Sequence, residues 1–213
     1  MLLRQLVSKH FAHLLVTTLT VAASTLKVNA QSELPPEVVI NTVYKGIQFI
    51  HGSEAVPDLY FNGNSFNSSC GLTTGSAYCP ADHVIFIPTR DINWAYQHGD
   101  AALAYIVAHE YAHAMQTAGD FLPSITLITE LQADCIAGLY LGVIPNIVFD
   151  TSDMLEIGSF AHRIGQPDTW HDNHRTHGTP KQRMKAVADG MDASSEGMQG
   201  VRVCLNKYST PGN

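Results

Sequence analysis

The sequence predicts an α+β fold: a mostly helical single domain with a small strand element beside one buried helix. Three observations carry that expectation. Residues 100–117 read as a helix whose apolar side chains (Leu103, Ala104, Ile106, Val107, Ala108, Ala112) surround most of the cylinder, so it must be covered on nearly every side. Later segments carry further helix start signals, whereas only one short run, 83–88, has the β-branched and aromatic character of a strand. No internal repeat appears, and 213 residues with 15% charged side chains describe one ordinary globular domain.

At the start of the chain, Arg4 and Lys9 precede an apolar stretch over 11–23, and Val28, Asn29 and Ala30 offer cleavage geometry before Gln31. This is the pattern of a secretory signal peptide over 1–30, which leaves 31–213 as the mature domain, exported and either periplasmic or secreted. The stretch is short and interrupted by threonines, so an uncleaved anchor is the lesser reading and no membrane span is expected in the mature chain. Residues 37–50 have mixed helical spacing. Residues 52–81 are rich in Gly, Asn, Ser and Pro and read as a loop or irregular hairpin that leaves open a role as a lid. Tyr44, Phe49, Tyr60 and Phe61 read as core residues. The 83–88 run ends in Pro88, which places that strand near a sheet edge. The central helix takes Asp100 as N-cap and Gly119 as its stop. A second helix, 124–142, begins at a capping Ser124. A third runs from near Ser152 toward Gly165, and a fourth has Thr179 as N-cap with Pro180 at its first position.

The formal net charge of −7 and the absence of any basic run argue against nucleic acid or an anionic membrane as partner. Four cysteines, an even number in an exported chain, favour disulfides. Cys70 and Cys79 flank a short Gly- and Ser-containing connection and suit a local staple. Of the three connectivities, the preferred one then joins Cys135 to Cys204, with a buried free Cys135 as the competing reading.

The chemistry sits on the central helix, in His109-Glu110-Tyr111-Ala112-His113. Histidines four apart lie one above the other and can both offer an imidazole nitrogen to one ion. An unligated pair plus a glutamate in an apolar interior would leave polar groups unsatisfied. A catalytic zinc site needs a third protein ligand and an open position. Glu130, 17 residues after His113 on the next helix, is the candidate, because a turn at Gly119 and Asp120 lets that helix pack back antiparallel. Asp134, one turn further, can accept the outer N–H of a ligating imidazole.

With these residues assembled, Glu130-Leu131-Gln132-Ala133-Asp134-Cys135-Ile136-Ala137-Gly138, taken with His109 to Gln116, resembles the putative neutral zinc metallopeptidase family. Tyr78-Cys79-Pro80-Ala81-Asp82 before the strand, and His177-Gly178-Thr179 followed by Gln182-Arg183, are similar to further landmarks of that family. The likeness runs in order over 70–204, and the N-terminal third has no counterpart in it. Tyr111-Ala112 depart from the small and Gly residues typical after the first Glu. The resemblance implies a zincin-like fold, Glu130 as the glutamate ligand, and pairing of Cys135 with the late Cys204.

The expected mechanism uses one Zn2+ ion held by His109, His113 and Glu130, with Glu110 as the general base for a water attacking a peptide or protein substrate. A donor for the oxyanion would come from His177 or Tyr111, with His177 favoured. The rivals are a catalytically silent zinc-binding module of the same fold and a hydrolase of non-peptide amides.

Overall fold

The computed structural model describes residues 33–52, 56–167 and 176–210. The signal-peptide reading of 1–30 lies outside the described residues. In chain order the elements are α1 (Pro36–His51), β1 (Asp58–Phe61), β2 (Phe66–Ser68), β3 (Gly71–Thr73), β4 (Ala77–Cys79), β5 (Val84–Ile87), α2 (Thr89–Tyr96), α3 (Asp100–Ala118), α4 (Thr126–Val143), α5 (Thr151–Arg163) and α6 (Pro180–Ala193). A 3-10 turn (Ser194–Gln199) and α7 (Gly200–Lys207) complete the chain. This is the mostly helical α+β arrangement expected, with the strands beside a buried helix. Among the described residues, no helix is long and apolar enough to cross a membrane.

α3 is the axis of the core. Fourteen of its side chains, from Ala101 to Gln116, are buried, and α1, α2, α4, α5 and strands β4 and β5 pack around it. α4 is buried along most of its length for the same reason, lying between α3 and α6. Its approach to α6 depends on two glycines. A Cβ on Gly138 would stand 2.1 Å from the Val187 carbonyl oxygen, and one on Gly190 1.8 Å from that of Cys135. Side-chain-free positions let the two backbones meet, and disulfide Cys135–Cys204 fastens α7 to the same α4 segment. The second disulfide, Cys70–Cys79, ties β4 to the loop before β3.

Several local expectations are corrected. Residues 52–81 hold four strands: β2 and β3 form an antiparallel hairpin, while β1 and β4 flank β5 in a three-stranded sheet of order β1-β5-β4. β5 is therefore central rather than at an edge, parallel to β1 and antiparallel to β4. All four of its residues are buried, and Pro88 follows the ladder instead of interrupting it. α2 was not marked by any sequence signal used above. Asp100 does not cap α3: Gly99 (φ 114°) holds that place, and the Asp100 carboxylate accepts from the Leu34 N–H. Gly119 is the C-cap of α3, as expected, in a right-handed conformation, and the left-handed residue of the turn is Asp120 (φ 54°). α4 begins two residues after Ser124, with no side-chain cap. Thr179 caps α6 reciprocally with Gln182, as Pro180 at its first position suggested, and Asp150 with Asp153 does the same for α5. Phe49 and Tyr60 are exposed rather than core, whereas Tyr44 and Phe61 pack against the core.

Candidate metal centre

α3 has no free face, so each polar side chain on its interior turns requires a partner or an ion. His109 and His113, one turn apart, bring their Nε2 atoms to 3.1 Å. α4 delivers Glu130, whose Oε2 lies 3.3 Å from His109 Nε2 and whose Oε1 lies 3.5 Å from His113 Nε2. Contacts between the two helices run in opposite senses, Gln116 to Gln132 and Tyr105 to Asp134, so α4 returns antiparallel to α3. Ligand atoms of a tetrahedral zinc site with bonds of about 2.0–2.1 Å stand about 3.3 Å apart. The three contacts, two of them to different oxygens of Glu130, lie close to that spacing, and the three residues form a compact potential ligand group.

The tautomers can be read from the surrounding amides. Gln132 Nε2 donates to the Tyr208 carbonyl (2.9 Å), which leaves its Oε1 to accept from Gln116 Nε2 (3.2 Å). Gln116 Nε2 also donates to the Thr129 carbonyl (3.0 Å). The Gln116 Oε1 therefore faces His113 Nδ1 at 2.9 Å as an acceptor, and the proton of a neutral His113 resides on Nδ1. Its Nε2 lone pair points at the triangle. On His109, Nδ1 is 2.8 Å from Asp134 Oδ1, a close ionic approach whose N–H and acceptor are out of line. A carboxylate there also favours the proton on Nδ1. Two imidazole lone pairs and one carboxylate thus converge with no donor among them, an arrangement that calls for a cation. The donor set, two imidazoles and a carboxylate, suits zinc.

Asp134 is fully buried and anchors the far side. Arg183 grips it twice (Nε to Oδ2 2.9 Å, Nη2 to Oδ1 2.7 Å), and the Tyr105 hydroxyl donates to Oδ1. Burial would raise the Asp134 carboxyl, but the Arg183 charge and His109 hold it well below the usual range. Burial would likewise raise Glu130, yet His109, His113 and Arg183 bring it down to about 2. His109 is opposed by burial and supported by Asp134 and Glu130, which together push it up to about 10. In a metal-free centre a proton takes the cation's place between these groups.

Glu110 lines the same cleft, which has a volume of about 900 Å³. Burial pushes its carboxyl up to about 7, with Glu130 and Asp91 adding to the rise and His109 and Arg183 opposing it. His177 stands across the cleft, half exposed, its Nε2 3.9 Å from Glu130 Oε1. Tyr111 belongs to the other side of α3, stacked on His51 and against Tyr44 and Tyr140, and it does not line the cleft. That removes it as an oxyanion donor. Sequence reasoning missed Arg183, Tyr105, Gln116 and Gln132 as parts of this centre. Gln116, three residues after His113, had a signal available: that spacing puts a polar side chain beside His113 on a helix with little polar surface.

The family model described as "Putative neutral zinc metallopeptidase" matches residues 43–128. The match reaches further toward the N-terminus than the motifs read above, and it ends two residues before Glu130. Two proteins, each called "Uncharacterized protein YpfJ", from Escherichia coli strain K12 and from Escherichia coli O6:H1, are 28% identical to this chain over 174 residues, covering 64% of it. The chain spans 58% of the length of these relatives. No solved structure matches it. Over residues 43–128, then, the chain matches the family that its motifs resemble, the putative neutral zinc metallopeptidases.

Proposed function

We propose that this chain is an exported zinc-dependent peptidase in which His109, His113 and Glu130 hold one zinc ion. The observation that carries this reading is the convergence of two imidazole lone pairs and a carboxylate, at tetrahedral spacing, on the wall of a cleft that also holds Glu110. When bound, zinc supplies a Lewis acid that acidifies a water and polarises the scissile carbonyl. Glu110 acts as general base, taking the proton of the attacking water and passing it to the leaving amine. In the metal-free chain its burial raises its carboxyl to about 7, and a general base works best with a pKa near the working pH. Asp134 orients His109, and His177 offers a hydrogen bond to the oxyanion.

A peptide is the favoured substrate because β4 is an edge strand of the sheet and its Ala77 and Tyr78 line the cleft. An extended chain can pair with such an edge. Export is supported by the two disulfides, which belong to an oxidising compartment, and by the leader pattern in 1–30. The test is zinc content and casein hydrolysis of the purified chain beside Glu110→Gln. One zinc in both proteins with hydrolysis by the wild type only supports the reading. Zinc in both with hydrolysis in neither, across a broad peptide library, turns it toward a silent binding module, and no zinc in either removes the centre.

A further inference from the structure

The loop joining α5 to α6 brings Gln166 against His177, and every polar atom of that contact has an assignable direction. Gln166 Oε1 accepts the backbone N–H of His177 at 2.8 Å and the Thr176 hydroxyl at 2.8 Å. The hydroxyl's direction is settled too, since Thr176 Oγ1 itself accepts the Gly178 N–H at 3.2 Å and so turns its own proton toward Gln166. The Gln166 backbone is pinned by its N–H donating to the Gly178 carbonyl at 2.8 Å. A flipped amide would set its NH2 against two donors. Gln166 Nε2 therefore faces His177 Nδ1, 3.3 Å away, as a donor.

We propose that Gln166 is a positioning residue that holds His177 with Nδ1 bare and its proton on Nε2, so that an N–H donor faces the cleft beside Glu130. This deepens the peptidase reading and rests on it for the catalytic consequence, though not for the tautomer. The arrangement is the reverse of the one at His113. There the Gln116 oxygen accepts from an Nδ1–H and leaves Nε2 bare for an ion; here the Gln166 nitrogen donates to Nδ1 and leaves Nε2 protonated. Two like amides, turned opposite ways, separate a metal ligand from a hydrogen-bond donor. A protonated Nε2 cannot coordinate, so His177 stays out of the ion's shell and the position that water and substrate need remains open. Its 3.9 Å separation from Glu130 Oε1 agrees, because a lone pair there would face a carboxylate.

The experiment compares the zinc-loaded wild type with Gln166→Glu, whose oxygens can keep the Thr176 and His177 backbone contacts while replacing the donor to Nδ1 by an acceptor. Long-range 15N spectra of histidine-labelled protein, with His177 assigned by its loss in His177→Ala, should show Nδ1 bare in the wild type and protonated in Gln166→Glu. At pH 9, kcat of the variant should fall by about 10-fold or more with KM little changed, as for removal of an oxyanion donor. Zinc affinity from chelator competition should stay within about threefold. Gln166→Leu, which imposes neither proton position, guards against misfolding of the first variant and should show a mixture of tautomers. An Nδ1 proton on wild-type His177 overturns the proposal, and so does an unchanged kcat at pH 9 with the tautomer reversed. If no variant hydrolyses any peptide, the peptidase reading fails while the spectra still decide the tautomer.

Discussion

Replacing Arg183 by Met should be among the most damaging single changes in this protein. Asp134 is 0% exposed, and both its oxygens are engaged by the Arg183 guanidinium, with Tyr105 and His109 as the remaining partners. Methionine fills similar volume but leaves a carboxylate in the interior without its principal counter-charge. Breaking one side of a buried pair costs about 3–5 kcal/mol. In a domain of this size each kcal/mol moves Tm by about 2–4 °C, so Arg183→Met should melt roughly 6–20 °C below the wild type. Circular-dichroism melts of the zinc-loaded and chelator-treated proteins would measure it.

The triple variant Tyr105→Phe, Asp134→Leu, Arg183→Met separates stability from function. It removes the whole polar group instead of half of it, and apolar replacement of a buried ion pair is often neutral or better. Most of the lost Tm should return. Zinc affinity should not, because His109 Nδ1 has lost the carboxylate beside it, and such outer partners are worth 10–100-fold in metal affinity. A single Arg183→Met change that costs under about 1 kcal/mol would contradict the account of Asp134 as a carboxylate dependent on Arg183. Wild-type zinc affinity in the triple variant would contradict its role in orienting His109.

Four further outcomes follow from the structure. Gln116→Leu should weaken zinc by about 10–100-fold in chelator competition, since it removes the acceptor that keeps the His113 proton on Nδ1. In the metal-free protein, the rise of Glu110 from 4.5 to about 7 means that its stabilising contribution is complete below pH 4.5 and is lost as pH rises through 7. Wild type should therefore lose up to ~3 kcal/mol relative to Glu110→Gln between pH 5 and pH 8, measured by urea titration at each pH. Gly190→Ala, which puts a methyl 1.8 Å from the Cys135 carbonyl oxygen, should destabilise by about 1–3 kcal/mol or more. Gly158→Ala on α5, whose nearest neighbour would be Met184 Cγ at 3.9 Å, should stabilise by up to ~1 kcal/mol in the same assay.

Helices α1, α3, α4, α5 and α6 were legible because their signals are local, whereas the short α2 and α7 carried none. A cylinder whose apolar side chains from Leu103 to Ala112 surround most of its surface has to be buried, and Thr179 with Pro180 announces a start through chemistry contained within four residues. The sheet was not legible for the converse reason. β1, β4 and β5 are three or four residues long, and β1 pairs with β5 across more than twenty residues of Gly- and Ser-rich chain whose composition mimics a loop. Pro88 was misleading because a proline just after a strand and a proline at an unpaired edge look alike in sequence. Only the burial of all four β5 residues distinguishes them.

For the candidate site the division falls between the atoms that meet an ion and the atoms that orient them. Helical periodicity sets His109 over His113, and an antiparallel return sets Glu130 and Asp134 beside them. That much is geometry of one turn and two helices. The orienting groups are fixed by longer routes: Arg183 comes from α6, 49 positions after Asp134, and Gln132 draws its direction from the carbonyl of Tyr208, 76 positions away. The Tyr208 carbonyl lies just beyond α7, the helix that Cys135–Cys204 fastens to α4, so the disulfide holds in place the acceptor at the end of the Gln132, Gln116, His113 series. Disulfide and candidate metal centre are in that sense one construction. The tail fixes an amide, the amide fixes a second amide, and the second decides which nitrogen of His113 is left bare for the ion.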